Sequence, residues 1–240
     1  MGIDAFVSPM SVAWRGIRPA AATVYFSVDH LAELGEPFDY EAWSKRLRAL
    51  PSFDEPFAFT DLLPGRGPLS ASRVRKETLA FQRRVSERVG VDVTWDDSGR
   101  VDDEPPARLD PTAMARIRLL GARLLSQETP ATEWLSSLAT DDPWSHPDYE
   151  ASGARLRSLA PQLSLLDIAN LYLPADFHEV LHGLPYCVGS ASRLRREVEQ
   201  LDASIARLTS GFQRSRYMLE VLAELSERAV ALDLPLWVDG

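Results

Sequence analysis

Two apolar stripes near the end of the chain constrain its fold more than any other feature. Leu194, Val198, Leu201, Ile205 and Leu208 recur at alternating steps of four and three, and Met218, Leu222, Leu225, Ala229 and Leu232 repeat the pattern. On an α-helix this spacing lines up one face. Gly211 lies between the two runs and breaks them apart, so the pattern predicts two amphipathic helices folded back as an antiparallel pair.

That upstream chain reads as more helices with a few short strands. Asp39 is an N-cap candidate for a helix carrying Tyr40, Trp43, Leu47 and Leu50, stopped by Pro51. Residues 20–34 suit either a helix or a strand, because Thr23, Val24, Tyr25 and Phe26 favour the latter. A helix over 70–89, capped by Ser70 or Ser72, buries Val74, Thr78, Phe81, Val85 and Val89 and ends at Gly90. Asp110 followed by Pro111 opens another, with Met114, Ile117, Leu120 and Leu124 inward. Thr129-Pro130 starts a shorter one bearing Trp134, Leu135 and Leu138, and a further helix runs over about 148–160. Strands are expected at Ile3 to Val7, at Val91 to Trp95 with a return through Val101, at Leu171 to Leu173, and at Leu234 to Val238.

The expected fold class is therefore mainly α, of α+β type. It has a bundle-like helical core, a C-terminal antiparallel helix pair and a small sheet of a few short strands. Residues 1–240 are read as a single globular domain, with joints expected in the Pro- and Gly-rich loop at 51–69 and the loop at 140–148.

Charge and cysteine count exclude several classes of function. The net charge of −9 opposes a duplex nucleic-acid partner, which needs a basic footprint. An acidic surface suits solubility or a basic protein partner. The single cysteine, Cys187, allows no internal disulfide and no Cys-rich zinc knuckle. No run approaches the roughly 18 apolar residues of a membrane span. The N-terminus has an acidic residue and lacks a basic region before a long apolar run, so no signal peptide is read there and the cytoplasm is the expected location.

One short segment carries sharper chemistry. His178-Glu179-Val180-Leu181-His182 matches HExxH. On a helix, two histidines four apart share a face and can hold one metal ion, and the glutamate beside them can take a proton from bound water. Over these five residues the chain resembles the zincin metallopeptidase motif. That resemblance implies His178 and His182 as zinc ligands and Glu179 as the catalytic base. Glu197, on the next helix, is the candidate third ligand. Pro174, Gly183 and Pro185 restrict any helix here to about two turns. The metzincin extension is absent, since Pro185 and Gly189 stand where it needs a glycine and a third histidine.

Other candidates have plain structural readings beside them. Gly189, Ser190, Ser192 and Arg193 precede a helix and suit an anion, although serine capping explains them equally. Cys187 is a nucleophile only with a histidine beside it, and otherwise a small buried hydrophobe. Arg73, Arg75, Lys76, Arg83, Arg84 and Arg88 form a basic helix face interrupted by Glu77 and Glu87. The run holding Asp96, Asp97, Asp102, Asp103 and Glu104 lacks the calcium-loop pattern and reads as a charged hairpin on which a basic partner would dock. Trp144, in a Pro-flanked loop, is the candidate exposed anchor, whereas Trp43 and Trp134 are expected in the core. Two functions follow. The first is a soluble intracellular binding protein acting through an acidic surface, an inhibitor or immunity role being one concrete version. The alternative is a zinc-dependent metallohydrolase built on residues 178–182.

Overall fold

Alternation along five strands gives this protein a sheet with two apolar faces, and the helices are distributed to cover both. The computed structural model describes residues 3–8, 71–95, 106–166, 170–181, 187–208 and 211–239, with backbone alone for 71–77 and 239. The expectations for residues 20–34, the helix from Asp39, the loop at 51–69, the turn and return strand at 96–101, Trp43 and His182 lie outside the described residues. The elements, in chain order, are β1 (Ile3–Val7), α1 (Ala71–Val89), β2 (Ala107–Leu109), α2 (Pro111–Leu124), α3 (Thr132–Thr140), α4 (Tyr149–Leu159), β3 (Asn170–Leu173), β4 (Cys187–Ser190), α5 (Ala191–Ile205), α6 (Gln213–Leu232) and β5 (Leu236–Asp239). Short 3-10 turns at Pro143–Ser145 and Leu163–Leu165 complete them. Among the described residues this is a mixed α/β fold of six helices and one small sheet, with the helix pair at its C-terminal end.

The strand order is β2-β1-β5-β3-β4. All neighbours are antiparallel except β3 and β4, which run parallel, with Asn170 opposite Cys187 and Leu173 opposite Ser190. Successive side chains on a strand point to opposite faces. Ala5, Val7, Tyr172, Leu236 and Val238 therefore join the larger core with α2, α5 and α6. Phe6, Leu171, Leu173, Val188 and Trp237 face the other way, where they meet Phe81 and Val85 of α1 together with Val93, Trp95, Phe177 and Leu181. On that second face Trp237 stacks on Phe6 at 6.3 Å, and its indole N–H donates to the Ser8 carbonyl at 3.0 Å.

The C-terminal pair forms as the stripes require. Leu194, Val198, Leu201 and Ile205 of α5 and Met218, Leu222, Leu225 and Ala229 of α6 are buried. Its two ends are tied by ion pairs that only an antiparallel arrangement allows. Arg216, in the first turn of α6, grips Asp202 near the end of α5 at 2.8 and 3.1 Å, and Arg195 near the start of α5 reaches Glu227 at 3.3 Å. The first helix stops at Ile205, one step short of Leu208, whose N–H already closes a tighter turn onto the Ile205 carbonyl. Asp233, at φ 53°, ends α6 in the left-handed region and donates back to Ala229 and Val230. Helix α2 packs tightly through Gly121, where an added methyl would lie 2.8 Å from Leu156 and 3.3 Å from Leu201. Asp110 caps α2 as expected, accepting from Thr112 N at 2.8 Å and Ala113 N at 3.3 Å.

Residues 91–95 depart from the expected strand. The alternation is real in burial, with Val93 and Trp95 inside and Asp92 and Thr94 outside. Here, though, side chains of α1 satisfy the backbone. Val93 N donates to Ser86 Oγ at 2.8 Å, and Gln82 Nε2 donates to the Trp95 carbonyl at 3.2 Å. Period-two burial needs only an extended chain, whereas a strand also needs a neighbouring strand. Ser86→Ala should therefore leave Val93 N–H without its partner and destabilise the protein by about 1–2 kcal/mol. Chemical denaturation would measure this, and a Ser86→Thr variant, which keeps the hydroxyl, should lose less.

Candidate functional site

The HExxH segment does not form the helix that metal binding by this motif requires. Pro174 follows β3 directly, and residues 178–180 have no regular structure. Phe177 and Leu181 are drawn into the second core, and Leu181 exchanges backbone hydrogen bonds with Val188 at 2.9 and 3.0 Å. That pairing stretches the chain along the edge of β4 and leaves His178 and Glu179 exposed, while His182 lies outside the described residues. A helix would have left Leu181 unable to pair, so burial of two apolar side chains decides against it.

Glu197 is on the expected helix but serves another purpose. Its carboxylate accepts the backbone N–H of Leu163 at 2.8 Å, and that of Gln162 as well, closing the 3-10 turn at Leu163–Leu165. Burial pushes its carboxyl up to about 7, against the opposing pull of those two amides and of Arg193. Among the described residues no group of three or more His, Cys, Asp and Glu is placed to hold a metal ion.

What these residues share is Gln162, which is wholly buried. Its Nε2 donates to the His178 carbonyl at 3.1 Å, its Oε1 accepts from Ser190 N at 2.9 Å, and its own carbonyl accepts the Tyr172 hydroxyl at 2.9 Å. Gly189 leaves room for it, since a methyl there would collide with Gln162 Oε1 and the Tyr172 ring. The sequence signal was only a glutamine after a proline.

At the expected anion site at the start of α5, the protein's own groups meet the cap and the arginine. Ser190 caps the helix by accepting from Arg193 N, and its hydroxyl donates to the Ala175 carbonyl at 2.7 Å. Ser192 Oγ reaches the Pro174 carbonyl at 3.5 Å. Asp176 binds both Arg193 and Arg196, the latter at 2.8 Å. Burial raises its carboxyl, but the hydrogen bonds from the two guanidinium groups outweigh this and hold it below the usual range. Cys187 is half-buried on β4, and burial raises its thiol, which disfavours a thiolate.

The interface candidates divide. Asp96, Asp97, Asp102, Asp103 and Glu104 lie outside the described residues. On α1, Arg83 and Arg88 are exposed, together with an apolar Leu79, and the side chains of Arg73, Arg75 and Lys76 are outside the described set. Trp144 is 47 % exposed, as its Pro-flanked setting suggested. The loop carrying it is braced. Pro143 is buried, Ser145 N and His146 N close the 3-10 turn onto Asp142 and Pro143, and the His146 ring meets Trp134 edge-on at 5.4 Å. Trp134 is half-buried, with its N–H on Asp148 at 2.9 Å and the Arg123 guanidinium 4.8 Å over its ring. Asp141, Asp142, Asp148 and Glu150 are exposed around this loop, and only Asp148 has an ion-pair partner among the described residues. No family model, no curated protein and no solved structure matches the chain.

The position of Glu197 has a measurable consequence. In the unfolded chain its carboxyl ionises near the ordinary 4.5, and in the folded protein near 7. Between those values the folded state holds the extra proton, so stability falls as pH rises through the window and levels off above it. Glu197→Gln removes that dependence. Denaturation at pH 4.5, 6 and 8 should show the variant gaining on the wild type by up to about 3 kcal/mol across the series. A difference that does not change with pH would refute the assignment.

Proposed function

We propose that this chain is a binding protein that engages a basic protein partner through an acidic surface centred on Trp144. The observation that carries the proposal is an indole 47 % exposed, on a turn held by its own hydrogen bonds, flanked in sequence by carboxylates that have no ion pair among the described residues. A large aromatic left in water is unfavourable for the free protein, and tryptophan is enriched among residues that dominate binding energy. Bracing by Pro143, His146 and Trp134 lowers the ordering cost of association. The carboxylates of Asp141, Asp142 and Glu150 would steer a cationic partner toward the ring and favour lysine or arginine over its face. The net charge of −9 extends the same field over the molecule.

Acting this way, the protein masks its partner and needs no catalytic group of its own, as an inhibitor or immunity protein would. The cytoplasm is the location proposed for it. The single cysteine suits a reducing compartment, and no helix among the described residues is long and apolar enough to cross a membrane. No described geometry favours the metallohydrolase reading over this one.

Native capture should retain one stoichiometric basic partner, and the complex should weaken as salt is raised. Trp144→Ala should weaken binding by about 30-fold or more, on the order of 2 kcal/mol, without changing the melting temperature. Asp142→Asn together with Glu150→Gln should act mainly on the association rate. A capture that returns no partner, or a complex indifferent to Trp144→Ala, would defeat the proposal.

A further inference from the structure

We draw no further inference here: the strongest candidate, the side-chain cluster in which the Glu197 carboxylate on α5 closes the 3-10 turn carrying Gln162, belongs to the site already described, where it satisfies the protein's own backbone.

Discussion

Everything in this protein depends on a sheet that is apolar on both sides. Five short strands cannot hold themselves together in water, and hydrogen bonding between them adds little net free energy over bonding to solvent. The drive comes from burying Ala5, Val7, Tyr172, Leu236 and Val238 on one face and Phe6, Leu171, Leu173, Val188 and Trp237 on the other. Each face needs its own cover. The C-terminal pair with α2 covers the first, and α1 with the extended segments around Val93, Trp95, Phe177 and Leu181 covers the second. This division explains why helices dominate the chain while strands sit at its centre.

Covering the second face with irregular chain creates a problem of backbone satisfaction, and buried polar side chains resolve it. Ser86 and Gln82 hold residues 93–95, and Gln162 holds residues 178 and 190 at once. Glu197 closes the turn that carries Gln162. Polar groups buried in this way are satisfied almost without exception in native proteins, because each orphan costs as much as several favourable contacts return. The histidine-glutamate segment belongs to this scheme. Its apolar members, Phe177 and Leu181, are the ones that bind it to the fold, and its polar members are carried outside.

Trp144 is held in place in a different way. The acidic loop between α3 and α4 is stiff because a buried proline, a 3-10 turn and a ring contact to Trp134 fix it. The loop therefore presents its indole without needing a partner to order it. Beside Trp134, Arg123 pairs with Glu128 and Asp148, and Arg155 with Glu128. Around Trp144, Asp141, Asp142 and Glu150 have no ion pair among the described residues. That contrast is what the proposed recognition face rests on.

The local patterns were legible in the sequence wherever a single element could decide its own state. The stripes of α5 and α6, the Asp110-Pro111 start of α2, the Ser190 cap and the exposed Trp144 all follow from residues within one or two turns of each other. Residues 91–95 and 178–181 were not legible, because their state depends on what lies across the fold. Alternating burial at Val93 and Trp95 does not say whether a strand or a helix side chain will take the backbone. A histidine spacing of four does not say whether Leu181 will prefer a helix or the edge of β4. Sequence periodicity reports which side chains want to leave water; only the tertiary arrangement decides which distant backbone and which distant charge they meet when they do.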